Sequence, residues 1–172
     1  MYATLLTLAI AAAAAATEAP TIDRHAATRQ GEAHQALIAQ HDKARNAAGA
    51  LYQYAASRIV ADRQLAQHMA VDINSSLEAG QQEIGRIADQ LTPTQHEAAK
   101  QRLQELRDRQ AKAVSHTNGL NNELAKTVID GAEVRFLASE IYQSVSLAED
   151  AHQALLQQLD VKVAGGGSTR AR

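Results

Sequence analysis

Glu149 and His152, three residues apart in Glu149-Asp-Ala-His152, are the residues whose types and spacing most readily do chemistry. On a helix, positions i and i+3 share a face, so the pair offers one carboxylate and one imidazole to a single ion. Two such pairs with further carboxylates build a di-metal centre in a helical bundle. Here the motif occurs once, which argues against a complete di-metal centre and its oxidoreductase chemistry.

Other histidines fall near the same level. His34 and His41 are in phase with Leu37 and Ala44, His116 lies beside the apolar stripe of its own segment, and His152 follows Ala148 by four residues and precedes Leu155 by three. Counting residues from the expected turns at ~1.5 Å each brings His41, His116, Glu149 and His152 within roughly 10 Å of a common height, with His34 farther along. These four are the expected ligands of a borderline divalent ion such as zinc, copper or iron. The competing structural reading makes each a half-buried side chain bonded to water or to a carbonyl. His25, His68 and His96 receive no role.

Several chemistries are excluded. There is no cysteine, hence no disulfide, thiolate zinc site, iron–sulfur cluster or Cys-x-x-Cys-His haem attachment. No Gly-x-x-x-x-Gly-Lys phosphate loop and no nucleophile elbow occur. A formal net charge of -2 leaves no clustered basic face for nucleic acid.

The elements that must position these residues follow from composition and periodicity. The 172 residues allow one domain, and with 45% apolar but only 3% aromatic residues its core must be built from Ala, Leu, Ile and Val. Thr4 to Ile10 and then Ala11 to Ala16 form an uncharged apolar run ending in small residues. We read residues 1–16 as a secretory signal peptide cleaved before Thr17, although Met1-Tyr2 supplies no basic n-region. A membrane anchor is the alternative, and the run is shorter than the ~20 residues a span requires. Residues 17–29, with Pro20, read as a linker, and the Gly-rich segment 162–172 as a flexible tail.

Between these ends apolar residues recur at helical spacing. The first helix is expected from about Gln30 to Ser57. A second, capped by Asp62, carries Met69, Ile73, Leu77, Gly80, Ile84, Ile87 and Leu91. The third starts at Thr92-Pro93, carries Ala99, Leu103, Leu106, Ala113, Leu120, Leu124 and Val128, and ends at Asp130-Gly131. The fourth carries Val134, Leu137, Ile141, Val145, Ala148, Leu155 and Leu159. Asn118-Gly119 is a turn-favoured dipeptide that would break the third helix, whereas the in-phase stripe through Leu120 and Leu124 favours continuity. The expected fold is all-α, an antiparallel up-down-up-down four-helix bundle over residues 30–161.

Two family resemblances bear on function. Leu65-Ala-Gln-His-Met69-Ala-Val-Asp72 and Val134-Arg-Phe-Leu-Ala138-Ser-Glu-Ile141 resemble stretches of secreted ferritin-like four-helix-bundle proteins of unknown function, many described as outer membrane proteins. This chain departs from that pattern with Ile73 in place of His. The resemblance implies a ferritin-like fold and an exported protein. Leu91-Thr-Pro-Thr-Gln95 resembles the Leu-Thr-x-x-Gln signature of the Spy and CpxP family of periplasmic chaperones, although the family's second copy is absent. Plain helix capping explains the same residues, with Thr92 as N-cap, Pro93 at N1 and Gln95 completing a capping box. The chaperone resemblance would make the charged face of the third helix the rim of an apolar cradle in a homodimer with envelope proteins as clients.

The sequence thus leads to the expectation of an exported binding or envelope-stress protein, periplasmic or secreted and more readily non-enzymatic. It would have no transmembrane span in its mature form and a divalent metal in the bundle core. A Spy-like or CpxP-like chaperone is the alternative, and a di-metal oxidoreductase ranks third.

Overall fold

In a computed structural model of the protein, the described residues are 24–55 and 62–161, with side chains described from Gly31 onward. The signal-peptide reading of 1–16, the first part of the 17–29 linker, the 162–172 tail and the expected helix end at Ser57 lie outside them. Four helices account for nearly all of the described chain: α1 (Arg24–Tyr54), α2 (Arg63–Asp89), α3 (Pro93–Ala125) and α4 (Gly131–Leu159). No strand occurs among the described residues, and no helix is long and apolar enough to cross a membrane.

The helix starts are written in side chains. Asp62 accepts the Gln64 and Leu65 N–H groups, and Asp130 accepts those of Ala132 and Glu133, so each carboxylate satisfies donors that a first turn leaves open. Thr92 and Gln95 form the expected capping box, with Pro93 in the first turn of α3. Three boundaries differ from the sequence reading. The first helix begins at Arg24, taking in the end of the expected linker, because no helix breaker lies between Pro20 and Gly31 and the alanines there favour helix. The third helix ends at Ala125, where Lys126 turns extended, and Val128 is 81% exposed rather than part of the core stripe. Asp130-Gly131 therefore opens α4 instead of closing α3.

The short α3–α4 connection is held by Glu123. This buried carboxylate pairs with the Lys126 ammonium and accepts the Asp130 N–H at 2.9 Å, and both contacts hold its pKa below the usual carboxylate range. Arg63 from α2 donates to the Lys126 and Thr127 carbonyls at 2.9 Å each, tying the same corner to a third element. Through Asn118-Gly119 the helix is unbroken. Gly119 serves packing there, since a Cβ would stand 3.2 Å from Leu137 Cδ2 on α4.

Each helix buries one stripe in alternating steps of three and four. On α1 the stripe is His34, Leu37, His41, Ala44, Ala48, Leu51 and Ala55; on α4 it is Val134, Ala138, Ile141, Val145, Ala148, His152 and Leu155. This is the seven-residue repeat of coiled-coil packing, in which a narrow seam faces neighbouring helices. Met69, expected in the α2 stripe, sits half-buried at its edge, and Ala66 and Ala70 take the core positions. The packed pairs are α1 with α2, α2 with α3, α3 with α4, and α4 with α1, so the four helices form a ring without a diagonal pair.

The apolar core divides in two. One cluster joins the C-terminal half of α1 and the N-terminal half of α2 to the C-terminal half of α3 and the N-terminal half of α4, from Ala44, Ala66, Ala113 and Val134 onward. The other joins Ala33 and Leu37 to Ile84, Ile87, Leu103, Leu106, Ala148 and Leu155. Between His34 and Ala44, the α1 stripe alternates imidazole with aliphatic residues.

Glycine at position 80 permits a close approach. A Cβ there would lie 3.0 Å from Gln110 Nε2 and 3.5 Å from Leu37 Cδ1, and Gln110 is itself held by two hydrogen bonds. At Gly85 a Cβ meets nothing within 4 Å. Gly85→Ala should therefore stabilise the bundle by up to about 1 kcal/mol through helix propensity. Gly80→Ala should lose that gain to overpacking, which costs about 1–3 kcal/mol. Urea midpoints of the two variants test this, and equal midpoints would sink it.

Candidate functional site

Three histidines and a glutamine, His34, His41, His152 and Gln110, are buried on the inner stripes of α1, α4 and α3. His34 Nδ1 and His152 Nε2 face each other at 2.7 Å, a hydrogen bond in which one ring donates and the other accepts. The two rings are nearly parallel and meet edge to edge, with centroids 5.0 Å apart and an interplanar angle of 12°. Helix geometry places them there, since both occupy core positions of the seven-residue repeat, on two helices that pack against one another. Alanines surround the pair in sequence, with Ala33 beside His34 and Ala148 and Ala151 beside His152, all buried.

One heptad along α1, His41 Nε2 bonds Gln110 Oε1 at 3.0 Å. The amide of Gln110 points on to α2, donating through Nε2 to the Leu77 carbonyl at 2.7 Å. Since the Gln110 oxygen accepts, His41 carries its proton on Nε2, and its Nδ1 is left as an acceptor. That Nδ1 and the Nε2 of His34 are buried without a hydrogen-bond partner. Buried polar atoms in folded proteins nearly always have one, so each needs an explanation.

The three imidazoles are neutral at pH 7. Burial lowers the pKa of His34 to about 4. For His41 burial also dominates, against the raising effects of the Gln110 bond and Asp42, and again gives about 4. His152 is lowered to about 3 by burial and then by the proximity of His34 and His41. In such a medium the charged form of each ring is the costly one.

Of the four residues expected to share an ion, two enter this core and two do not. His41 and His152 are buried in it, each with a different partner. Glu149, half-buried on α4, forms an ion pair with Arg45 of α1, which also pairs with Asp42. His116 is half-buried on the α3–α4 seam with the Glu140 carboxylate 3.6 Å from its Nε2, too far for a hydrogen bond. Among the described residues no three His, Asp or Glu side chains are arranged around one point as a ready-made ion site.

The sequence reading gave His34 a lesser place and passed over Gln110. A signal for both existed. His34 stands one heptad before His41, and Gln110 fills the step left empty between Leu106 and Ala113 in the α3 stripe, as Thr117 fills the next. His68 and His96 are exposed.

Comparison with known proteins finds no matching family model, no curated relative and no solved structure of similar fold.

Two outcomes follow for the metal-free chain. The folded pKa values of His34, His41 and His152 lie below the ordinary 6.5, so the unfolded chain binds more protons as pH falls. Stability should be greatest above pH 6.5 and decline below it toward pH 4. Three groups at about 1.4 kcal/mol per pH unit each set a limiting slope of roughly 4 kcal/mol per unit. Urea midpoints at intervals from pH 7.5 to 5 measure it, and a flat profile would contradict three neutral buried rings. Second, Gln110→Leu should cost about 1–3 kcal/mol because it strands His41 Nε2, and adding His41→Leu should recover much of that loss. A double-mutant cycle reads the coupling, and additive losses would rule it out.

Proposed function

We propose that this protein is an exported helical-bundle binding protein that holds a transition-metal ion in its core at His34 and His152, with His41 close by. The single observation carrying this reading is the buried, neutral His34–His152 pair, near which His34 Nε2 and His41 Nδ1 have no partner. Neutral imidazole is the protonation state that binds metal, and burial keeps it so well below neutral pH. Imidazole nitrogen suits zinc, copper and iron. The sequence-based ligand set contracts accordingly. His152 remains a ligand and His41 a neighbour, His34 joins, Glu149 serves the Arg45 ion pair at the α1–α4 seam, and His116 lies beside Glu140 at the α3–α4 seam.

The antiparallel up-down-up-down, ferritin-like order belongs to the same proposal. Its support is the alternation in the two core clusters: in one, C-terminal halves of α1 and α3 meet N-terminal halves of α2 and α4, and in the other the opposite halves meet. Export to the periplasm or beyond, and a part in envelope stress, rest on the apolar N-terminal run and the resemblance to secreted bundles. A chaperone role has less behind it. Thr92–Gln95 is accounted for by its capping box, and the charged face of α3 carries pairs within the helix, Arg102 with Glu105 and Gln104 with Asp108. An oxidoreductase would need a second Glu-x-x-His and bridging carboxylates.

The test is metal content. The full chain is dialysed at pH 7 against zinc, copper and iron salts in turn and the retained metal counted by plasma mass spectrometry. About one ion per chain is expected with at least one of these metals, lost in His34→Ala and His152→Ala and kept in His116→Ala and Glu149→Gln. A chain that retains no metal would remove the proposal, and loss in the last two variants would restore the wider four-residue site.

A further inference from the structure

The ligand set of this core is poor in charge. Among the described residues no carboxylate stands with His34 and His152 in a group of three that could hold a metal ion. The half-buried or buried carboxylates of the bundle lie beside other groups: Asp42 and Glu149 on Arg45, Glu83 through Oε1 on Arg86, Glu105 on Arg102, Glu123 on Lys126, and Glu140 beside His116. An ion between His34 and His152 would therefore keep its whole charge inside an apolar layer. The cost of that scales with the square of the charge, so a divalent ion costs about four times what a monovalent one does. A closed tetrahedral zinc site also needs four ligands, and the facing pair offers two.

From this geometry we infer that the His34–His152 pair is a two-coordinate site for a monovalent soft d10 cation, Cu(I) or its analogue Ag(I), bound between His34 Nδ1 and His152 Nε2. The inference rests on the metal-binding reading above and names its ion class. Linear coordination by two neutral donors is what such ions accept. The two nitrogens already face each other, with nearly parallel rings at 12°. The ion takes the place of the shared hydrogen. That proton moves on the donating ring to its other nitrogen, so both facing atoms present lone pairs and no proton leaves. If His34 is the donor, the proton passes to its unpartnered Nε2. Nitrogen–metal distances near 2 Å require the 2.7 Å separation to open by about 1.3 Å.

The experiment uses the full chain and two probes, Ag+ as a redox-inert monovalent ion and Zn2+ as the divalent one, in separate equilibrium dialyses at pH 7. The expected result is one Ag+ per chain, affinity at least tenfold weaker in His34→Ala and in His152→Ala but unchanged in His68→Ala, and no Zn2+ retained. Because alanine at a core position can disturb folding, imidazole 15N shifts of the unmodified chain supply a second readout. Those of His34 and His152 should move on adding one equivalent of Ag+, with those of His68 and His96 unmoved. Zn2+ retained at the two histidines in place of Ag+ would overturn the monovalent assignment and leave the metal site standing. Retention of neither ion would overturn both, and Ag+ bound with shifts only at other residues would overturn the assignment to this pair.

Discussion

The arrangement of this bundle depends on keeping three uncharged imidazoles inside an aliphatic core. An Ala- and Leu-rich seven-residue repeat is degenerate, because sliding one helix along its neighbour by a heptad brings similar side chains into similar holes. His34, His41 and His152 remove that freedom. Each hydrogen bond they make, His34 to His152 and His41 to Gln110, exists at one height only. A slipped register would strand these groups, and each stranded buried donor or acceptor costs about 1–3 kcal/mol. That is a large share of the stability of a small domain. The polar groups thus select one among several apolar packings.

Other features follow from that selection. Gln110 must cross from α3 to both α1 and α2, and it reaches the Leu77 carbonyl because residue 80 has no side chain. Alanine beside the histidines keeps the helices close enough for the two rings to meet. Bulkier core residues lie to either side, Leu51, Ile73, Leu120 and Ile141 in one cluster and Ile84, Ile87, Leu103 and Leu155 in the other. The two apolar clusters supply most of the burial energy, and the polar groups between and within them supply the alignment.

Much of this was legible in the sequence for a physical reason. Helix starts announce themselves through short polar side chains that bind open N–H groups, and Asp62, Thr92 with Gln95, and Asp130 each do so. Stripes announce themselves through periodicity, and that of α2 from Ile73 to Ile87 was visible. Where reading failed, the signal was local while the cause was tertiary. Val128 continues the α3 period, but the Glu123 carboxylate with Lys126 and the Asp130 N–H closes the corner first. For the candidate site, residue types were legible and partners were not. Glu149 shares a helix face with His152 at i+3, yet a few tens of degrees separate the core seam from its flank, and on that flank Arg45 takes the carboxylate. Spacing along one helix cannot reveal what the neighbouring helix supplies.

Register alone does not account for all the nitrogen in this core. A side chain that only fixes alignment needs one bonded partner, and an asparagine or glutamine would do it without lowering stability in mild acid. Imidazole brings a second nitrogen, and in His34 and His41 that second nitrogen is buried without a partner. The chain therefore carries a desolvation cost and an acid sensitivity for which folding gives no return. On the metal-binding reading proposed above, their return lies in something that uses the uncharged lone pairs of the facing His34 Nδ1 and His152 Nε2, held away from water. A soft cation is such a thing, because it draws on the lone pair, tolerates an apolar surround when its charge is low, and competes for the ring with nothing but a single shared proton.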